Sequence, residues 1–119
     1  MPESSAGYDP PLDLVHLMRQ CLGDRELKAE LLGLFRLQAR SLTGELSGSP
    51  LLSLEAKARI AHTLRGSALA VGAGRVASAA RRIEELASAP GDQASEARAV
   101  DALLSAVAEA LAEIERIRS

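Results

Sequence analysis

The sequence predicts an all-α fold: an antiparallel four-helix bundle with a short additional N-terminal helix. Apolar residues recur three and four positions apart over long segments, which is the spacing of one helix face. No segment shows the apolar–polar alternation that is typical of a strand. The apolar content is almost entirely leucine, alanine, valine and isoleucine, with Tyr8 and Phe35 as the only aromatic residues. Such side chains suit slim, closely packed helices.

The length of the chain, 119 residues, is enough for one domain with a buried core and too short for two. Residues 1–11 are mostly polar and contain three prolines, so we expect them to form a flexible N-terminal arm. Residues 12–119 are predicted to form the helical bundle domain, because periodic segments and short breaks alternate throughout that range.

The first two helices are predicted from apolar spacing and one capping residue. A short helix is expected from about Leu12 to Leu22. Its inward positions are predicted to be Leu14, Val15, Met18, Cys21 and Leu22. Asp24 is a favourable N-cap for the second helix, which is expected to run to about Leu46. The inward stripe of this helix is predicted to consist of Leu27, Leu31, Leu34, Phe35, Gln38 and Leu42.

Three further helices follow short breaks in the pattern. Residues 47–50 (Ser-Gly-Ser-Pro) stop the second helix, and Ser53 can cap a third that runs to about Val71. A tight turn at residues 72–74 leads into a fourth helix over residues 75–87. Its inward positions are predicted to be Val76, Ala79, Ala80, Ile83 and Leu86. Residues 89–91 (Ala-Pro-Gly) end it, and the short loops make successive helices antiparallel neighbours.

The last helix is expected to begin after Asp92. Its apolar positions alternate by four and three, through Val100, Leu104, Val107, Leu111 and Ile114. This spacing could also support self-association, but an intramolecular bundle requires the same spacing. We therefore expect a monomer.

Charge and composition exclude several classes of function. A net charge of −2 and the near absence of aromatic residues argue against nucleic acid as the main partner. No run approaches 18 apolar residues, and the first residues lack the basic and apolar regions of a signal peptide, so neither a membrane span nor secretion is expected. Cys21 stands alone, which excludes an intramolecular disulfide and suits a reducing, cytoplasmic environment. A packing role is expected for it.

His62 is predicted to face solvent. With 100° per residue, six apolar residues of the third helix form one cluster and His62 lies nearly opposite, on a strip with Arg59 and Gly66. That core-facing cluster consists of Leu54, Ile60, Ala61, Leu64, Ala68 and Val71. Glycine costs about 1 kcal/mol relative to alanine inside a helix, so Gly66 indicates that an approach to the imidazole is kept clear. Arg65 at the flank offers a planar cation suited to phosphate oxygens.

A carboxylate partner for His62 is predicted from the register of the helical hairpin. If its centre lies near Ala73, position 62 faces position 84, and Glu84 can accept a hydrogen bond from Nδ1–H. Glu85 takes this place if the register slips by one residue. An equally weighted alternative has Glu84 pairing with arginines 81 or 82 on its own helix.

The other histidine, His16, lies near the apolar stripe of the first helix and is expected to be structural. Two histidines far apart in sequence, without a close ligand pair, do not predict a metal site.

The segment around His62 resembles the histidine-containing phosphotransfer (Hpt) domains of two-component phosphorelays. The family motif, roughly His-x-x-Lys-Gly-Ser/Ala, is similar to residues 62–68 (His-Thr-Leu-Arg-Gly-Ser-Ala), followed by residues 71–73 (Val-Gly-Ala). The pair Ile83-Glu84 also matches a hydrophobic–Glu pair that is common in the family. Arg65 replaces the commoner lysine, and Ala70 stands where many relatives have a polar residue.

The resemblance implies a phosphocarrier rather than an enzyme. A receiver domain carrying phosphoaspartate would dock over His62, and Nε2 would take the phosphoryl group and pass it to another receiver. Arg65 would clamp its oxygens, Gly66 would give clearance, and Arg59 and Ser67 would contact the partner. The implied partners are receiver domains of hybrid histidine kinases and response regulators.

These receivers would supply Mg²⁺, so no cofactor is expected on this chain. It also contains no Gly-rich loop for ATP. The alternative is a non-phosphorylatable adaptor that binds and inhibits a receiver or a kinase.

Overall fold

A computed structural model describes residues 10–48, 51–89 and 91–118. This part of the chain contains five helices and no strand: α1 (Leu14–Gln20), α2 (Arg25–Gly48), α3 (Leu54–Val71), α4 (Gly74–Ser88) and α5 (Gln93–Arg118). Helix α3 packs against α4, α4 against α5, and α2 against both α3 and α5, while the short α1 packs on α3. The predicted all-α bundle is thereby confirmed. No helix in the described ranges is long and apolar enough to cross a membrane.

The helix ends follow the capping residues. The side chain of Asp24 accepts hydrogen bonds from the first amides of α2, those of Glu26 (2.9 Å) and Leu27 (3.2 Å). Ser53 accepts from the amide of Ala56 at 3.1 Å and starts α3. Helix α2 extends two residues beyond its predicted end, to Gly48. The remainder of the predicted stop, residues 49 and 50, lies outside the described residues, as do Pro90 and residues 1–9 of the predicted arm.

Helix α3 ends where glycine is required. Gly72 is left-handed (φ 77°) and its amide donates to the carbonyl of Ala68. An added Cβ at Gly72 would lie 2.9 Å from the carbonyl oxygen of Asp13, whose amide donates to the Gly72 carbonyl at 2.8 Å. This contact attaches the start of α1 to the end of α3, so a side chain at position 72 would separate the two helices.

The predicted inward face of α1 is wrong at four of its five positions and confirmed only at Cys21. Leu17 and Cys21 are buried, together with Leu12 before the helix. Four residues predicted to face inward are exposed instead: Leu14, Val15, Met18 and Leu22. The helix is only seven residues long, and its four apolar residues spread over a broad arc of which only Leu17 is buried, so spacing alone does not fix the face that packs on α3.

The stripes of α2 and α5 are also shifted from the prediction. In α2, Leu32 and Ala39 join Phe35 in the core, while Leu27, Leu34 and Gln38 are exposed. In α5, the buried residues are Ala99, Leu103, Ala106, Val107, Ala110 and Ile114. The predicted Val100, Leu104 and Leu111 are only half-buried, as is Ala79 in α4. Helices α2, α4 and α5 each pack between two neighbours. In α5, the small alanines lie in the packed interface and the leucines Leu104 and Leu111 lie at its edges.

Ion pairs connect α5 to each of the other long helices. Lys57 of α3 contacts Glu96 at 2.6 Å, and Arg75 of α4 contacts Glu109 at 2.5 Å. Arg36 of α2 lies 3.2 Å from Glu115. Such pairs at the protein surface contribute little free energy each, but three of them on different neighbours favour one register of α5 in the bundle.

Candidate functional site

His62 lies on the solvent side of α3, as its helical phase predicts. Its side chain is 69% exposed. Ala61, directly before it, and Leu64, two residues after it, are fully buried. The core therefore takes the opposite face of the helix, and the imidazole is accessible to another molecule.

The ring of His62 is held by one carboxylate oxygen from α4. His62 Nδ1 lies 2.8 Å from Glu84 Oε1, which is the contact predicted from the hairpin register. A carboxylate only accepts hydrogen bonds when ionised, so Nδ1 carries the proton, and in the neutral ring the lone pair is on Nε2. Glu85 does not contact the ring but pairs with Arg81 (3.4 Å) and Arg82 (3.8 Å). The alternative in which Glu84 pairs with those arginines is wrong.

Arg65 binds the second oxygen of the same carboxylate. Its Nε donates to Glu84 Oε2 at 2.6 Å, and its Nη2 lies 3.4 Å from Oε1. The same Nη2 is 3.4 Å from His62 Nδ1, which is a contact between two donors and not a hydrogen bond. The guanidinium is thus located at the Nδ1 edge of the ring, with its side chain 34% exposed.

These contacts keep Glu84 ionised. Partial burial raises the pKa of the Glu84 carboxyl, but the hydrogen bonds from Arg65 and His62 and their positive charges outweigh it. The pKa of Glu84 therefore lies below its ordinary value. An ionised Glu84 can accept from both partners at once.

Gly66 is not required by packing within the described part of the chain. A Cβ built on Gly66 would meet no atom within 4 Å, and the residue is exposed one turn after His62. Its helical penalty is therefore not balanced by a close internal contact. The open space beside the imidazole is instead available to a visiting molecule.

A shallow hollow of about 490 Å³ lies beside the imidazole, between α3 and α4. Its lining consists of Ala58, Arg59, His62, Thr63, Glu84, Ala87 and Ser88. The guanidinium of Arg59 has no hydrogen-bond or ion-pair partner among the described residues. The hollow thus combines a nucleophilic nitrogen, an uncommitted cation and two hydroxyl groups.

Comparison with protein families shows which family this helical domain belongs to. The family model for the Hpt domain matches residues 30–117, about three quarters of the chain. The chain belongs to the Hpt domain family. Membership implies a histidine phosphotransfer role in two-component phosphorelay signalling, with receiver and kinase partners, and the family's proteins are phosphocarriers. No curated protein and no solved structure matches this Hpt domain at a significant level. Helix α1 lies outside the matched range.

Of the predicted site residues, Arg59, His62 and Glu84 line the hollow of the Hpt domain, whereas Arg65, Gly66 and Ser67 do not. Ser67, the predicted partner contact, is half-buried and donates its hydroxyl hydrogen bond to Gln38 of α2. His16 donates from Nε2 to the carbonyl of Leu69 at 3.0 Å and joins α1 to α3. This contact is structural. No group of three or more histidine, cysteine, aspartate or glutamate side chains in the described ranges could hold a metal ion.

Beside the predicted Glu84, the hollow is lined by Ala58 of α3 and by Ala87 and Ser88 of α4, which were not predicted. The register that pairs positions 62 and 84 also pairs positions 58 and 88, and Ala58 and Ser88 do line the same hollow. That signal was present in the sequence. Small side chains at both positions leave the space open, whereas larger ones would fill it.

Proposed function

We propose that this Hpt domain accepts a phosphoryl group on His62 Nε2 from the phosphoaspartate of a receiver and passes it to another receiver. The observation that carries the proposal is the hydrogen bond between His62 Nδ1 and Glu84, on a ring that is otherwise open to solvent. It supports an imidazole whose free nitrogen is the exposed one. Gly66 supports the same proposal, because its missing side chain leaves room for the partner.

The transfer step needs no other covalent group. The Nε2 lone pair forms the N–P bond while the bond between phosphorus and the aspartate oxygen breaks, and that electron pair leaves with the carboxylate. The Nδ1 proton stays on the ring, where Glu84 balances the positive charge that the imidazole acquires. The reverse sequence delivers the group to a second receiver. Positioning and charge neutralisation therefore account for most of the rate.

We place the docking surface around His62 and extend it to α1. A transient interface buries less than about 1,200 Å² in total, or a disc of roughly 14 Å radius on each partner. Exposed Leu69 lies seven residues beyond His62, about 10 Å along the helix axis. The carbonyl of Leu69 binds His16 of α1. Exposed side chains in and just after α1 form a surface that lies within the radius of such an interface. That surface consists of Leu14, Val15, Met18, Arg19 and Leu22.

The proposal is tested with a receiver that has been phosphorylated with ³²P on its aspartate. We expect the label to appear on the Hpt domain in an acid-labile, base-stable form, and His62→Gln to remove it. His16→Gln removes the other histidine and controls for the position of the label: it should still accept the label, even if the weaker attachment of α1 lowers the rate. Transfer to His62→Gln would place the acceptor elsewhere. Absence of label with every receiver of the same cell would instead favour the inhibitory adaptor.

Four predictions accompany the proposal. The Mg²⁺ that the reaction requires is assigned to the receiver, and the Hpt domain is assigned no cofactor of its own. A monomeric state and a cytoplasmic location stay predictions of the sequence. The measurements are sedimentation of the purified chain and fractionation of the cell.

A further inference from the structure

A phosphoryl group on Nε2 needs a cation, and Arg65 is already engaged. Arg65 contributes two guanidinium nitrogens to the carboxylate of Glu84, the nearer at 2.6 Å. It also lies at the Nδ1 edge of the ring, whereas the phosphoryl group would be attached to Nε2. To clamp that group, Arg65 would have to leave a charge-assisted hydrogen bond and leave Glu84 with one partner fewer.

Arg59 is as close to His62 along the helix as Arg65 is, and it has the freedom that Arg65 lacks. It precedes His62 by three residues, so the two side chains are neighbours on the exposed strip of α3, with Cβ atoms about 5–6 Å apart. Both line the same hollow, and the guanidinium of Arg59 has no partner in the described part of the chain. Even Glu55, one turn earlier on the same strip, forms no ion pair with it.

The charges that face the hollow favour an anion only if Glu84 is neutralised. Glu84 is the acidic residue in the lining, and its carboxylate lies 2.8 Å from the ring that would carry the phosphoryl group. Arg65 neutralises this carboxylate through a direct ion pair. Arg59 then gives the hollow its net positive charge. The Ser88 hydroxyl lies near the same space, whereas the Thr63 hydroxyl already donates to the carbonyl of Arg59.

We propose that Arg59, not Arg65, binds the phosphoryl oxygens during transfer, while Arg65 is a positioning residue that holds and neutralises Glu84. This division of roles rests on the proposed function above. The planar fork of Arg59 can donate two parallel hydrogen bonds to one phosphoryl group. Arg65 acts on the reaction through the tautomer of His62 and makes no contact with the transferred group.

The experiment compares two phosphodonors, a phosphorylated receiver and phosphoramidate. Phosphoramidate loses ammonia as its P–N bond breaks and needs no docking surface. We expect Arg59→Ala to slow labelling of His62 by both donors, on the order of a hundredfold, as for other lost oxyanion donors. Arg59→Lys should recover part of the rate. Arg81→Ala is the matched control, since it removes an exposed arginine that pairs with Glu85 outside the hollow.

A second readout separates the two arginines. In ¹⁵N spectra of the imidazole, Arg59→Ala should leave the Nδ1–H tautomer of His62 intact, whereas Arg65→Ala should reduce its population. Normal phosphoramidate labelling of Arg59→Ala would overturn the proposal, because Arg59 would then act in docking alone. An unchanged tautomer in Arg65→Ala would overturn the role of Arg65. Label on His62→Gln would overturn the proposed function itself.

Discussion

Glu84 is the residue on which the geometry of the site depends. One carboxylate binds the imidazole through Oε1 and the guanidinium of Arg65 through Oε2, so it fixes a tautomer and cancels a cation together. Its position was predictable, because helical phase and hairpin register place positions 62 and 84 opposite each other. The position of the Arg65 side chain was not predictable, because a long side chain has many rotamers and its partner is chosen by the fold.

Two substitutions of Glu84 separate orientation from charge. Glu84→Gln keeps an oxygen that can accept from Nδ1–H, whereas Glu84→Ala removes the acceptor. We expect Glu84→Ala to slow transfer by at least tenfold, in the range found when a group that orients a histidine is lost. Glu84→Gln should retain the Nδ1–H tautomer in ¹⁵N spectra. The prediction would be contradicted if His62 populated both tautomers in Glu84→Gln but only the Nδ1–H tautomer in Glu84→Ala.

Glu84 also predicts a pH dependence of stability. The pKa of its carboxyl is lower in the folded chain than its ordinary value, so the ionised form stabilises the fold above the ordinary pKa. That contribution is lost as the pH falls through the lowered value. The difference in free energy of unfolding between wild type and Glu84→Gln should therefore shrink in acid, as measured by urea unfolding across the carboxyl range. A difference that grows in acid would reverse the sign of the shift.

At the scale of elements, the ends of helices were predicted better than their faces. Asp24 and Ser53 mark the starts of α2 and α3 because a side-chain cap is a local interaction that neighbouring residues determine. The packed face of α1 depends on which neighbour it meets, and its two turns carry four apolar residues on one broad arc, of which only Leu17 is buried. Burial of α1 is therefore a tertiary property, and the sequence pattern could not decide it.

Gly66 gives a prediction for α3 as an element. Replacing it with leucine should raise the free energy of unfolding by up to about 1 kcal/mol, because glycine is a poor helix former and no described atom lies near its Cβ position. The same variant should transfer slowly from a receiver but react normally with phosphoramidate. Gly44→Leu in α2 is the matched control, since its Cβ position is equally open. Equal receiver rates for both variants would refute the clearance role.

Leu22, in the turn between α1 and α2, has an unusual backbone conformation. It is 93% exposed and adopts a left-handed backbone (φ 53°), a conformation that costs a leucine about 1–2 kcal/mol. No sequence signal indicated this, because Gly23 follows it and is the residue that such a turn ordinarily uses. The side chain belongs to the proposed docking surface of α1.

At the scale of the whole molecule, helix number and order were predictable, whereas the exact seam of the bundle was not. Each main helix has clear breakers on either side and a long apolar period. The seam in α5 passes through Leu103 and three alanines, one position away from the predicted stripe. Helix α5 packs against both α2 and α4, so its buried face is wider than the single apolar stripe that residues three and four positions apart would form.

The position of the seam is tested by two adjacent leucines. Leu103 is fully buried and Leu104 half-buried, so Leu103→Ala should lower the free energy of unfolding by about 2–5 kcal/mol. Leu104→Ala, with the same change in side chain, should cost clearly less. Chemical denaturation of both variants measures the difference. A larger loss at Leu104 would place the predicted stripe, and not the observed one, in the core.

The exposure of the His62 side chain also affects how long a phosphoryl group would stay on it. A ring that a large protein can approach is one that water reaches as well, so a phosphoryl group on Nε2 would be open to hydrolysis until a recipient arrives. The lifetime of the phosphoryl group on His62 would then depend on the abundance of accepting receiver domains in the cell. More recipients would shorten the stay of the group on His62, and a larger share of it would be transferred before water removes it.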